Sequence, residues 1–270
     1  MNNRVIKFGI EYNPGTLKFT EKEFEKIYSN PFYNDWQEME LIEYEEGDPN
    51  WIYEGGMDKT KLLDFLNKQN KIFTQGFRIR TNNLNAMESS NTDAKIAITL
   101  DKKNVLDWLT LNIPSPPFPA TQSAAESFRD FAQSFIWDYS LLKSFSVDVP
   151  ILEKQSDAIV RITKIAAEAI ISYTWFKILS PYEYETRYTK AQLLAAPAYR
   201  VLELPEDRVL IQSYPNPFEE DALVLAAYFG PLHEYLEKIR LENKSNPEVQ
   251  AIVQRRIAEL NKARFEKFGE

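Results

Sequence analysis

The chain contains no cysteine, which excludes disulfide bonds, thiolate metal sites and a cysteine nucleophile among its 270 residues. It has one histidine, His233, and therefore no second histidine or cysteine with which to build a usual zinc site or catalytic triad. Its eight glycines form no phosphate-binding pattern. We therefore expect His233 to be structural, and the sequence predicts no catalytic residue, no metal site and no cofactor.

Long apolar runs are also missing. The longest uncharged run, residues 108–125, contains four prolines and cannot form a membrane-spanning helix. The first ten residues lack the apolar stretch of a signal peptide. The hydrophobic fraction of 44 % and the charged fraction of 27 % are ordinary for a folded protein. We expect a cytoplasmic protein that does not contact a membrane.

Lysine and arginine are absent between Ile27 and Asp58, whereas this acidic window holds nine carboxylates. They are Asp35, Glu38, Glu40, Glu43, Glu45, Glu46, Asp48, Glu54 and Asp58. The chain has a net charge of -8, so the remaining residues sum to +1 once the window's -9 is removed. The net charge is therefore local, which favours a basic partner and disfavours direct binding of nucleic acid.

The same window is rich in aromatic side chains, and aromatic residues beside charges of one sign are typical of protein-binding surfaces. The carboxylates would speed the encounter with a cationic protein, and Trp36, Trp51 and Tyr53 would supply desolvated anchors. The residues predicted to bind this partner are Trp36, Glu38, Glu40, Glu43, Tyr44, Glu45, Glu46, Asp48, Trp51, Tyr53 and Glu54.

Other interpretations of these carboxylates stay open. They would also suit a solvated edge strand and loop, because outward charges discourage sheets from associating edge to edge. Calcium binding fits poorly, since residues 43–48 lack the alternating ligand spacing of a calcium loop. Carboxylate pairs could serve glycoside hydrolysis, although 40 acidic residues bring such pairs together by chance.

Hydrophobic periodicity predicts an α+β first half. The predicted strands are 4–12, 36–44, 73–80, 94–100 and 105–111, and the predicted helices are 59–67 and a segment that begins at the Thr20 cap and ends before Pro31. Residues 45–57 contain four glycine and proline residues and are expected to form a long loop.

Alternation along the strand 36–44 predicts which side chains are buried. Met39 and Leu41 should face the core. Glu38 and Glu40 should face solvent. Ile42 is apolar on the opposite phase, which indicates a β-bulge nearby.

A proline-rich connector at 114–120 is expected to separate an N-terminal half, 1–113, from a C-terminal half, 121–270. The elements predicted after it are a helix following Ser123, a strand at 142–149, a helix at 156–169, a strand at 171–179, a loop at 181–188, a hairpin of 201–204 with 208–214, a helix at 219–242 and a final helix from Pro247. The predicted fold is α+β, with two sheet-plus-helix halves packed together and two long C-terminal helices.

Several short motifs occur in a recognisable order. They are Phe8-Gly9-Ile10-Glu11-Tyr12, Gln75-Gly76-Phe77, Ala94-Lys95-Ile96-Ala97-Ile98, Leu109-Thr110-Leu111-Asn112-Ile113-Pro114, Tyr173-Thr174-Trp175-Phe176, Arg208-Val209-Leu210-Ile211-Gln212 and Pro217-Phe218. In this order the chain resembles the immunity protein 52 group of bacterial immunity proteins, which protect cells against polymorphic or type VI-delivered toxins.

The resemblance implies a non-enzymatic toxin inhibitor that binds one cognate protein toxin, often by covering the toxin's active site. A basic toxin such as a nuclease would suit the acidic window. Two alternatives from other classes remain, namely a carboxylate-dependent hydrolase and a non-catalytic assembly subunit that uses its helical C-terminus.

Overall fold

The computed structural model describes residues 5–12, 18–28, 36–45, 48–67, 74–81, 94–100, 106–114, 126, 129–130, 132–133, 136, 138–148, 174–217, 219 and 221–268. The chain forms two compact units. The first comprises Met1–Pro150 with Asn216–Phe218, and the second comprises Ile151–Pro215 with Glu219–Glu270. Both units contain sheet and helix, which confirms the α+β class.

The described residues of the first unit form seven antiparallel strands in the order β3-β2-β4-β5-β6-β1-β7. Their bounds are β1 Val5–Tyr12, β2 Trp36–Glu45, β3 Asp48–Gly56, β4 Thr74–Thr81, β5 Ala94–Leu100, β6 Leu106–Pro114 and β7 Leu142–Asp148. All predicted strands of the first half are present. The predicted loop at 45–57 is wrong, because most of it is the strand β3.

The strand register explains why this sheet forms. The position of Leu41 in β2 continues across the sheet as an apolar row of Phe77, Ile98, Leu109, Ile10 and Phe145. Leu41, Ile98, Ile10 and Phe145 are each at most 3 % exposed. Burial of such a row stabilises the sheet by about 25 cal/mol per Å² of apolar surface removed from water.

Two helices of the first unit match their predictions. Helix α1 spans Glu21–Tyr28 and α2 spans Lys59–Asn67. At the start of α1, the Thr20 N–H donates to Glu23 Oε2 at 3.0 Å and the Lys22 N–H donates to Thr20 Oγ1 at 3.3 Å. These bonds satisfy N–H groups that lack partners within the helix.

The predicted boundary between the halves differs from the one that the structure shows. Strand β7 pairs with β1 from Lys7↔Asp148 to Tyr12↔Leu142, so the first unit continues to Pro150. Pro114 is the last residue of β6, and the rest of the predicted connector lies outside the described residues.

Residue 126 and residues 129–130 and 132–133 are helical, in agreement with the helix predicted after Ser123. The helix predicted at 156–169 lies in a stretch that the structure does not describe.

In the part of the second unit that the structure describes there are three antiparallel strands, in the order β8-β10-β9, and four helices. The bounds are β8 Phe176–Leu179, α3 Pro181–Tyr184, α4 Lys190–Leu194, β9 Arg200–Leu204, β10 Arg208–Gln212, α5 Ala222–Asn243 and α6 Pro247–Phe268. Helices α5 and α6 confirm the two predicted C-terminal helices. The short helix α3 replaces the beginning of the predicted loop 181–188, since Pro181 starts a turn of helix after Ser180.

Side-chain hydrogen bonds hold α4 to the end of α5. Asn243 is 3 % exposed, and its Nδ2 donates to the Arg187 carbonyl and to Gln192 Oε1, each at 2.8 Å. The Tyr235 hydroxyl donates to the Gln192 carbonyl at 2.9 Å. Buried amides that make such bonds contribute to stability chiefly because breaking one leaves a desolvated group unsatisfied.

Helix α6 is attached to the same unit through charge and aromatic contacts. Arg256 Nη2 donates to Glu185 Oε1 at 2.5 Å, and the guanidinium carbon lies 4.5 Å from the centre of the Tyr182 ring. The apolar residues spaced along α6 are buried only at its start. Val249 is 1 % exposed, whereas Ile257 is 45 % exposed.

The turn between β9 and β10 carries backbone strain. Glu206 and Asp207 have φ values of 61° and 55°, where a β-carbon costs roughly 1–2 kcal/mol per residue. The Asp207 carboxylate is held by Lys190 Nζ at 2.6 Å, and this bond, followed by the one to Glu203, raises the pKa of Lys190. Glu206 is exposed, so removing its side chain should cost little stability.

We predict that Glu206→Gly stabilises the protein by about 0.5–1 kcal/mol, since glycine removes the β-carbon strain but adds entropy to the unfolded chain. Glu206→Ala keeps the β-carbon and should give no gain. The measurement is thermal unfolding of the three proteins side by side. Equal effects of alanine and glycine would show that the glutamate side chain, rather than backbone strain, determines the result.

Candidate functional site

Strand β2 is buried on both faces, which changes the interpretation of the acidic window. Met39 and Leu41 are 1 % and 3 % exposed, as predicted for the inward face. Glu40 and Ile42, which alternate with them, are 5 % and 0 % exposed. The prediction that Glu40 faces solvent is therefore wrong. Alternation of polar and apolar residues indicates a strand with one buried face, whereas β2 is buried on both faces.

The sheet also brings basic residues beside the window. Glu40 is paired in register with Arg78 of β4 on one side and with Glu54 of β3 on the other. Glu38 is paired with Arg80. The window itself contains no lysine or arginine. The strand register nevertheless places one arginine of β4 opposite each of these two carboxylates. The negative charge is accordingly less concentrated than the linear sequence suggests.

Strand β3 lies at the edge of the first unit's strand order and carries an irregularity. Leu41 is paired with Tyr53 and Ile42 with Trp51, so Ile52 has no partner residue in β2. This extra residue is a β-bulge in β3, opposite Leu41 and Ile42. The prediction placed a bulge in β2 itself, whose pairing with β4 runs without a shift from Glu38 to Tyr44. Bulges bend an edge strand and re-aim its side chains.

The bulge coincides with the most exposed apolar residues of the hairpin formed by β2 and β3. Trp51 is 50 % exposed and Ile52 is 48 % exposed. Trp51 was among the predicted anchors, whereas Ile52 was not. The signal that could have identified Ile52 is its position between Trp51 and Tyr53 in a stretch of mostly polar, glycine and proline residues.

Tyr53 is engaged within the protein. Its hydroxyl donates to the Gly56 carbonyl at 2.8 Å, and Lys61 Nζ lies 4.2 Å from the centre of its ring. A β-carbon on Gly55 would lie 2.9 Å from the Tyr53 hydroxyl oxygen, so the glycine leaves room for this bent-over ring. The geometry favours a role for Tyr53 in holding the end of β3 against α2.

The carboxylates of the window have different environments. Glu38, Asp48 and Glu54 are exposed, and Glu43 is half-buried. Asp58 caps helix α2, since the Lys61 N–H donates to Asp58 Oδ1 at 3.0 Å. Only the backbone of Trp36, Tyr44 and Glu45 is described, and Asp35 and Glu46 lie outside the described residues.

Lys59, the first residue of α2, also has a partner within the protein. Lys59 Nζ forms an ion pair with Glu25 of α1, and the hydrogen bond to Glu25 raises the pKa of Lys59. The exposed part of the hairpin edge thus combines Trp51 and Ile52 with the three exposed carboxylates. We call the set of Glu38, Asp48, Trp51, Ile52 and Glu54 the β3 edge patch.

The single histidine does not belong to this patch. His233 lies in α5, is 1 % exposed and has its ring 5.5 Å from that of Phe229, in agreement with a structural role. Within the described part of the chain, no three His, Asp or Glu side chains are grouped so that they could hold a metal ion. None of the described helices has the length and apolar composition needed to cross a membrane.

Comparison with known proteins adds no relative. No protein-family model matches the chain, and no curated protein matches it significantly. The resemblance to immunity proteins therefore stays a prediction, and the case for function depends on the geometry of the β3 edge patch.

The different environments of Glu38 and Glu40 lead to a test of the structure. We predict that Glu40→Lys destabilises the protein by about 3 kcal/mol, because it puts a buried cation at the register position beside Arg78. Glu38→Lys, at an exposed position in the same strand, should cost about 1 kcal/mol or less, since the new lysine faces Arg80 across the strands but water screens the repulsion. Urea unfolding followed by tryptophan fluorescence measures both. Equal tolerance of the two substitutions would contradict the burial of Glu40.

Proposed function

We propose that the protein is a cytoplasmic immunity protein that binds and neutralises a basic bacterial toxin through the β3 edge patch. The observation that carries the proposal is the exposure of Trp51 and Ile52 at 50 % and 48 %, on an edge strand beside exposed carboxylates. Exposed large apolar side chains next to charges of one sign are the composition expected of a protein-binding surface.

The two kinds of residue would act at different stages of binding. Glu38, Asp48 and Glu54 would attract a positively charged protein at long range and raise the association rate. Trp51 and Ile52 would lose water in the complex and slow its dissociation. The protein would carry out no chemistry, and neutralisation would follow from covering a surface that the toxin needs.

A growth experiment tests the function directly. The proposal predicts that a gene beside this one encodes a basic toxin domain, and this domain is expressed from an inducible promoter, with or without this protein. The proposal predicts that growth is restored and that the two proteins co-purify at a fixed ratio. Failure to restore growth, or release of a small-molecule product by this protein alone, would overturn the proposal.

Electrostatic steering gives a second prediction. Replacing Glu38, Asp48 and Glu54 together by lysine should lower the association rate with the toxin domain by roughly 10-fold or more at low salt, because steering contributes factors of 10 to 1,000. The difference from wild type should shrink as ionic strength rises, since the Debye length is about 8 Å at physiological salt. Stopped-flow or surface-based kinetics measures these rates.

The matched control changes net charge equally at another place. Glu206, Glu234 and Glu242 are exposed carboxylates of the second unit, and their joint replacement by lysine alters the charge by the same amount. If this control slows association as much as the β3 edge substitutions do, the effect is one of net charge and not of the patch.

A further inference from the structure

Trp51 and Ile52 are neighbours in a strand, yet both are about half exposed. Side chains of successive residues in a regular strand point to opposite faces, so an edge strand packed on one face would bury one of the two. Ile52 is the bulge residue without a partner in β2, and such a residue is free to turn away from the sheet. All five residues from Asp48 to Ile52 are exposed, so neither face of this part of β3 is buried, and two large apolar groups are open at the edge.

The backbone of β3 is poorly suited to accept another strand. Pro49 has no N–H to donate, and the bulge interrupts the regular spacing of backbone groups at Ile52. Proline, bulges and charged side chains are the devices by which proteins prevent edge-to-edge pairing. A partner that reaches this edge would therefore be held by side chains and not by a continued ladder of backbone hydrogen bonds.

Charge decides what kind of partner fits. Asp48 precedes Trp51 by three residues, Glu54 follows Ile52 by two, and both carboxylates are exposed. A second copy of this chain would bring the same carboxylates against each other, which is unfavourable. A cationic surface would instead pair with them while Trp51 and Ile52 are buried.

We propose that Trp51 and Ile52 insert together into an apolar pocket of the toxin that is bordered by lysine or arginine, with no strand added to β3. The inference rests on the proposed function and specifies how the complex is held. The inserted pair is the anchor, and the carboxylates of Asp48 and Glu54 form a charged rim around it, as in interfaces whose central residues are shielded from water by a polar border.

The test uses the purified toxin domain with an inactivating substitution and measures its equilibrium dissociation constant by calorimetry. Trp51→Ala should weaken binding by about 30-fold or more, and Ile52→Ser by roughly 10-fold, the range of central interface residues. Ile257→Ser is the matched control, because Ile257 is 45 % exposed in α6 and Ile52 is 48 % exposed in β3. The control should change binding by less than about 2-fold.

Hydrogen exchange of the complex distinguishes insertion from strand addition. Insertion predicts that the amide groups of residues 50–54 gain no ladder-like protection, whereas strand addition would protect alternate amides along β3. Such a protected ladder, or wild-type affinity of both Trp51→Ala and Ile52→Ser, would overturn the insertion and leave the immunity function intact. Absence of any complex with the wild-type protein would instead overturn the immunity function and the insertion with it.

Discussion

The burial of β2 on both faces is the constraint on which the rest of the site depends. Met39, Glu40, Leu41 and Ile42 are four successive residues, and none is more than 5 % exposed. A strand buried in this way needs a paired neighbour on each side, because its backbone groups cannot otherwise be satisfied away from water. Strand β4 is one neighbour and β3 is the other, and β3 ends the strand order described for this unit.

This arrangement separates the acidic window into structural and surface parts. Glu40 is inside, Asp58 caps a helix, and Tyr53 is held by Gly56 and Lys61. The surface part is the β3 edge, where Trp51 and Ile52 remain exposed among carboxylates. The same features protect the edge from unwanted strand pairing and make it suitable for a basic partner that is recognised through side chains. Edge protection and the proposed docking are therefore compatible roles of one set of residues.

Much of the fold follows from local patterns, and the differences have physical causes. Alternation and helical periodicity predicted six of the seven strands described in the first unit and helices α2, α5 and α6, because those patterns reflect one buried face. Strand β3 was missed, since Pro49, Gly55 and Gly56 are typical of loops and are tolerated in a strand only where its outer edge is open. Edge position is a property of the whole sheet and is not encoded in the segment itself.

The candidate site was also predictable only in part, because some of its features depend on the whole sheet. The window as a whole could be identified from charge and aromatic content. The apolar phase of Ile42 instead reflects burial of the second face of β2, and the bulge lies in β3. Burial of Glu40 depends on what covers the second face of β2, and the exposure of Ile52 depends on the register with β2. Both are consequences of tertiary structure. Neither can be obtained from the spacing of residues along the chain.

The most direct measurement of the central claim is a crystal structure of this protein bound to the basic toxin domain that it is proposed to neutralise. The account predicts that the indole of Trp51 and the side chain of Ile52 are enclosed by the toxin, with a lysine or arginine within about 4 Å of Asp48 or Glu54. A complex in which the β3 edge stays in solvent and the toxin contacts another surface, such as the exposed part of α6, would contradict it.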